Sequence, residues 1–166
     1  MRAKKPYKRL KLGSRRYLGY HTLIDAEDYE RISKYKWYVR REPGTKHGGY
    51  RYVAEGNVDG RTTFLARFIM KARKGQIVDH INRNPLDNRK ANLRFVTRSQ
   101  NRHNTKFVGN QAGHRGIYWD KYKKYFKAEI SIDKKIYVIG CFKKKRDAIK
   151  AYRAFVTKKL KEFAVF

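Results

Sequence analysis

The chain is poor in the residues that staple, anchor or neutralise proteins. One cysteine among 166 residues excludes an internal disulfide and any zinc site built from a cysteine cluster, and it suits a reducing compartment. That cysteine, Cys141, lies inside the apolar run IYVIGCF and is expected to be a small core residue rather than a nucleophile. No apolar run reaches the length of a membrane span, so no membrane partner is expected. The opening stretch MRAKKPYKRLKLGSRRY has basic residues but no apolar segment behind them. It therefore reads as a basic arm, ordered only on a nucleic acid, and not as a secretory signal. Acidic residues are scarce, with 14 Asp and Glu against 43 Lys and Arg, a formal net charge of +29. Solubility needs far less. Such a field attracts polyanions, because each phosphate neutralised releases counterions.

What is present sharpens this. Aromatic residues make up 14% of the chain, thirteen of them Tyr, which makes stacking on bases and sugars possible. Hydrophobic residues at 40% can fill modest cores, but charged residues reach 34%, so two compact modules are expected rather than one large globule.

A short strand is expected around Leu23 and Ile24, followed by a helical turn capped by Asp25 or Asp28. KWYVRRE and GYRYVAEGNV read as an antiparallel pair joined by the turn PGTKHGG. In TTFLARFIMKARKG, Phe64, Leu65, Phe68 and Ile69 have helical spacing and Gly75 is a stop. QIVDHI and NLRFVT are strands flanking the loop NRNPLDNRKAN, and Thr97 with Gln100 forms a capping-box pattern that opens a helix carrying Asn101. The Gly-containing segment from Thr105 is the expected domain boundary. Beyond it RGIYW, YFKAEISI and KIYVIGCF read as three strands, the last two joined by a turn at Asp133 and Lys134. A helix from Lys145 to Leu160 follows, with Ile149, Tyr152, Val156 and Leu160 along one stripe. In the middle strand Phe126, Ala128, Ile130 and Ile132 alternate with Tyr125, Lys127, Glu129 and Ser131, leaving one face for a ligand.

The stretch VDHINRNPLDNRKANLRFVTRSQN, residues 78–101, gathers neutral hydrogen-bonders and two carboxylates in an otherwise basic chain. Cleaving a phosphodiester needs a base to deprotonate water, a cation to stabilise the departing oxygen, and a frame that holds both in line. His80 can be the base, and Asp79 can offer a hard oxygen to a divalent ion. On a regular strand the two would point to opposite faces, so a bend or loop edge is expected there. Asn101 can bring an amide oxygen as second ligand, with His103 and Asn104 close enough to compete for that part. Asn92 can bridge the loop backbone and orient His80. Asn82, Asn84, Asp87 and Asn88 are expected mostly to satisfy their own loop backbone.

Asp79-His80, Asn92 in NLRFVT and Asn101 in RSQN resemble the HNH endonuclease motif in its His-Asn-Asn form. More widely, TLIDAEDYERISKYKWY, FLARFIM and the central stretch resemble phage and intron-encoded HNH homing endonucleases. RGIYW, FKAEISI, KIYVIGCF and DAIKAY resemble an AP2-type DNA-binding domain. The resemblance implies an α+β fold: N-terminal antiparallel strands lead into a ββα-metal (His-Me finger) HNH core, and an AP2-like three-stranded antiparallel sheet with a helix follows. The implied divisions are a basic arm at 1–19, a nuclease domain at 20–104 with its ββα-metal motif at 76–104, a linker at 105–113 and the AP2-like domain at 114–166.

It implies further that His80 is the general base of a site-specific endonuclease that hydrolyses or nicks DNA. Asp79 and Asn101 would bind one divalent ion, Asn92 would be structural and Arg98 would contact the cleaved phosphate. Asn rather than His at the third motif position favours Mg²⁺ or Mn²⁺ over Zn²⁺. Where many relatives have Leu-His-Arg, this chain has Leu65-Ala66-Arg67; Arg67 is kept as a DNA contact. In the AP2-like module Arg115, Lys127 and Lys135 can reach phosphates or guanine edges, Tyr118 and Trp119 can pack on sugars, with a place in the core as the alternative for Trp119, and Glu129 can accept from a cytosine amine. The expected partner is double-stranded DNA, bound by a monomer with no small-molecule cofactor, in the cytoplasm or the host cytoplasm for a phage gene. The rival reading is a catalytically inactive DNA-binding regulator that uses the AP2-like module.

Overall fold

The computed structural model describes residues 6–43, 49–104 and 109–164. The first five residues, most of the expected turn at 43–49 and the start of the expected linker at 105–113 lie outside them. By packing, the chain divides into one unit at residues 1–96 and a second at 97–166.

The first unit holds three small antiparallel sheets. Strand β1 (Tyr7–Lys11) pairs with β2 (His21–Asp25), from Tyr7 against Asp25 to Lys11 against His21. Residues 7–11 of the expected arm thus form a paired strand. Leu12 behind β1 is buried, and Gly13 bonds to Trp37 and Val39, where a Cβ would stand 2.9 Å from the Tyr38 ring. The edge of β2 and the burial of Leu12 hold this basic segment against the first unit.

A short helical turn and α1 (Tyr29–Ser33) lead to β3 (Trp37–Pro43), which pairs with β4 (Tyr50–Val58) as expected. Asp25 precedes the turn but makes no side-chain cap; its Oδ2 accepts instead from the Lys90 main-chain N–H at 2.7 Å. A third strand, β5 (Arg61–Phe64), follows a two-residue turn in which Asp59 and Gly60 have φ of 49° and 78°. Asp-Gly suits such a tight hairpin. The hairpin holds Thr62 to Phe64 as strand, so the expected helix shortens to α2 (Leu65–Ile69). Strands β6 (Ile77–His80) and β7 (Leu93–Val96) form the third sheet. One core unites these pieces: Leu12, Ile24, Ile32, Trp37, Val39, Leu65, Ile69 and Leu93 are buried together. Leu93 anchors the β6–β7 hairpin in that core.

The second unit begins with α3 (Arg98–His103), capped by the expected box: Thr97 Oγ1 accepts from Gln100 N and Gln100 Oε1 from Thr97 N. Strands β8 (Ile117–Asp120), β9 (Tyr125–Ile132) and β10 (Lys135–Phe142) form a sheet with β9 central. Asp133 and Lys134, with φ of 47° and 67°, make the tight β9–β10 turn. Helix α4 spans Lys145–Leu160 as the periodicity predicts, and buries Ala148, Tyr152, Val156 and Leu160 with Ile117, Ala128 and Ile130.

A bulge between Val138 and Gly140 resets the alternation of β10. Ile136, Val138 and, beyond the bulge, Cys141 are exposed, so Cys141 is a surface thiol and not the core residue expected.

Candidate active site

Asp79 and His80 close strand β6. Asp79 lies directly opposite Arg94, and His80 opposite Leu93. The ladder is regular here, with no bend between them, so the two side chains leave opposite faces of the ribbon. Asp79 is buried, and its Oδ2 accepts from Arg94 Nε at 3.0 Å. Beyond His80 the main chain turns, with Arg83 N donating to the His80 carbonyl at 2.9 Å.

The loop between β6 and β7 does more than solvate itself. Asn92 Oδ1 accepts from Asn82 N at 2.9 Å, while its Nδ2 donates to Asn82 Oδ1 and to the Asp87 carbonyl. Asn92 thus bridges the two ends of the loop. Asp87 accepts from Asn82 Nδ2 and, through both oxygens at 2.7 Å, from Arg89. These hydrogen bonds from Arg89 hold the Asp87 carboxyl below the usual carboxylate range.

The loop is also docked on strand β2. Leu23 N donates to the Leu86 carbonyl and Asn88 N to the Leu23 carbonyl, each at 2.8 Å. Asn82 and Asn84 do bond their own loop, through Asn84 N and Leu86 N. Asn88 departs from that expectation: it is 1% exposed, and its side chain reaches Thr22 and His80.

His80 Nε2 lies 3.0 Å from Asn88 Oδ1. Burial lowers the His80 pKa below the ordinary histidine value. The Asn88 bond and the Asp79 and Asp87 carboxylates work against that shift, and Arg51 adds to it. The net effect favours a neutral imidazole, the form that can accept a proton.

Asn101 and Arg98 belong to the second unit, on α3. Arg98 is exposed and Asn101 half-buried, with Asn101 N bonded to the Thr97 carbonyl in the first helical turn. His103 and Asn104, which competed with Asn101, are buried, and His103 Nε2 meets the Ser131 carbonyl at 3.1 Å.

Arg67 turns its guanidinium to the carbonyls of Arg73 and Gln76, closing the loop before β6. Arg115 donates to the His103 carbonyl at 2.9 Å, capping the end of α3. Tyr118, Lys127 and Glu129 share the outer face of the sheet, where Lys127 and Glu129 pair at 2.7 Å. Trp119, for which a place in the core was the alternative to a DNA contact, stands opposite Phe126, with ring centroids 4.6 Å apart, on the other face from Lys127. Lys135 is exposed at the hairpin end, opposite Ile132 on the Phe126 face, with its ammonium over the Tyr137 ring.

The donors expected to hold an ion are a carboxylate and an amide oxygen, hard ligands of the kind Mg²⁺ and Mn²⁺ take. A second acidic group, Asp25, Glu27 and Asp28, also lies close together among the described residues. There Lys90 Nζ already meets Glu27 at 3.0 Å and Asp28 at 2.8 Å, so a lysine supplies the cation.

Residues 72–103 match the family model described as HNH endonuclease. An uncharacterised HNH endonuclease of Acanthamoeba polyphaga mimivirus is 29% identical over 107 residues, covering 63% of this chain and 54% of that relative. The chain thus spans about half the length of the curated relative it matches. No solved structure matches. The matched residues contain both strands of the β6–β7 hairpin, the Asn-bridged loop and α3, so it is this central segment that is similar to HNH endonucleases.

Proposed function

We propose that this chain is a site-specific DNA endonuclease of the homing type, hydrolysing or nicking one phosphodiester bond with His80 as general base and a single divalent ion. The observation that carries the reading is the divergence of Asp79 and His80 at the end of β6, with His80 tied to Asn88. In-line displacement at phosphorus places the attacking water and the leaving oxygen on opposite sides. Two neighbouring side chains on opposite faces of one strand edge suit that requirement.

In this reading His80 takes a proton from water, the water oxygen bonds to phosphorus, and the bond to the 3′ oxygen breaks. The departing oxygen takes up a proton from solvent, so the products are a 5′-phosphate and a 3′-hydroxyl. Asp79 and Asn101 would hold Mg²⁺ or Mn²⁺, which supplies positive charge to the departing oxygen when bound. Arg98, exposed at the start of α3, would contact the cleaved phosphate. Asn92 keeps the loop closed beneath His80.

The net charge of +29 favours double-stranded DNA as partner. The outer face of the second unit's sheet, with Tyr118, Lys127 and Glu129, would lie against the duplex as in an AP2-like module. Arg67 and Arg115 would act by shaping the loops that approach it. The chain would work as a monomer, in the cytoplasm or in a host cytoplasm if phage-encoded.

Nicking of supercoiled plasmid with Mg²⁺ or Mn²⁺ tests the proposal, comparing wild type with folded His80→Ala. Loss of the base should slow nicking by roughly 10²- to 10⁴-fold with DNA binding retained. Tight binding without cleavage by wild type, under either ion and on a broad DNA pool, would favour the regulator instead.

A further inference from the structure

We infer that Asn88 is a positioning residue that fixes both the tautomer and the ring orientation of His80, at the end of a buried chain that begins at Thr22 on β2. The inference rests on His80 acting as the general base.

The argument is one of hydrogen-bond accounting. Asn88 Nδ2 lies 2.8 Å from Thr22 Oγ1 and 3.2 Å from the Pro85 carbonyl. A carbonyl only accepts, so the group facing Pro85 must be the NH₂ end of the amide. Thr22 agrees: its hydroxyl hydrogen goes to the Leu86 carbonyl at 2.8 Å, leaving Oγ1 to accept from Asn88. Turning the amide over would set an oxygen against the Pro85 oxygen in a region where Thr22 and Asn88 are 0% and 1% exposed.

The assignment therefore has one solution. Asn88 Oδ1 faces His80 Nε2, so Nε2 carries the hydrogen of the neutral ring and Nδ1 carries the lone pair. The main chain locks Asn88 as well, through its N–H to the Leu23 carbonyl. Water would then be deprotonated by Nδ1. The Nε2–H bond to Asn88 persists before and after that transfer, so the ring keeps its direction throughout. An uncharged amide orients the ring without drawing the proton to itself. Strand β2, 58 residues before His80 at Thr22, thus belongs to the reaction machinery.

The test reads the tautomer directly. Ring-nitrogen NMR of His80 in the full-length chain, at a pH where the ring is neutral, should show wild type protonated at Nε2 and bare at Nδ1. Asn88→Ala should show mixed tautomers, with kcat for plasmid nicking lower by about 10- to 100-fold and KM for DNA unchanged. Thr22→Val removes one anchor but keeps Oδ1, and should give a smaller loss in kcat in the same direction. It serves if Asn88→Ala does not fold. Wild type protonated at Nδ1 would overturn the inference, as would unchanged tautomer and unchanged kcat in the variants. Should wild type show the expected tautomer yet nick no DNA, the positioning stands and the nuclease reading fails.

Discussion

The loop after β6 and the outer face of the C-terminal sheet both carry side chains tied to the proposed function, and they are built in opposite ways. In the loop, Asp87, Asn88 and Asn92 are 2%, 1% and 8% exposed, and each has several bonds to named partners. On the sheet, Tyr118, Ile136 and Val138 are 48%, 63% and 59% exposed. A group that must hold a reacting side chain gains from being over-determined, since small misplacements cost rate. A face that meets a partner keeps its surface available until the partner arrives. The first design ties stability to function; the second separates them.

Substitutions can break that contrast, and the largest effect is expected in the loop. Asn92→Ala removes the side-chain partner of the Asn82 main-chain N–H and of the buried Asp87 carbonyl. At about 1–3 kcal/mol for a buried group left unpaired, the Asp87 carbonyl alone should lower the stability of the first unit measurably, read as a lower urea midpoint. Nicking should be lost with it. A stable, inactive Asn92→Ala would instead mean that the loop tolerates gaps and that Asn92 acts nearer the chemistry.

A comparable change beneath the sheet sharpens the contrast from the other side. Gly116 has φ of +69°, and a Cβ there would stand 2.1 Å from the Tyr152 ring and 2.6 Å from the Glu129 carbonyl. Gly116→Ala should destabilise the second unit by about 1–3 kcal/mol through overpacking, visible as a lower melting temperature. On the open face, Tyr118→Ala and Ile136→Ser should leave stability within about 0.5 kcal/mol while weakening DNA binding in a filter or fluorescence assay. A stability loss at Ile136 would show that this face is covered within the chain.

Acid should act more gently, and on the loop. The Asp87 carboxyl is held low by Arg89, so its folded value lies below its unfolded one. Such a group contributes stability above the unfolded value, near pH 4, and that contribution drains away as pH falls through the folded value. Hydrogen exchange at the Asp87 and Asn88 amides, corrected for intrinsic rate, should therefore accelerate below about pH 4. Asp87→Asn should exchange faster at neutral pH and show little of this acid dependence.

Local patterns were legible in the sequence because periodicity and turn chemistry act over a few residues. The β3–β4 pair, the Thr97–Gln100 box, the Asp133–Lys134 turn and the whole of α4 could be read this way. So could the grouping of Asp79, His80 and Asn92 in one hairpin and loop. The short β5 is not visible in the helical spacing of Phe64 to Ile69, although Asp59-Gly60 is a hairpin turn pair.

Only the tertiary structure decided the rest. Strand β1 was hidden by its charge until its pairing with β2 came into view. Cys141 faces outward because a bulge one turn of the pleat earlier shifts the parity of β10. Asn88 looked like any loop asparagine, yet its partner Thr22 lies 66 residues away. Sequence spacing determined that Asp79, His80 and Asn92 share one hairpin and its loop; which nitrogen of His80 holds the hydrogen was decided by long-range contacts, since a buried amide takes its direction from whichever distant donors and acceptors surround it.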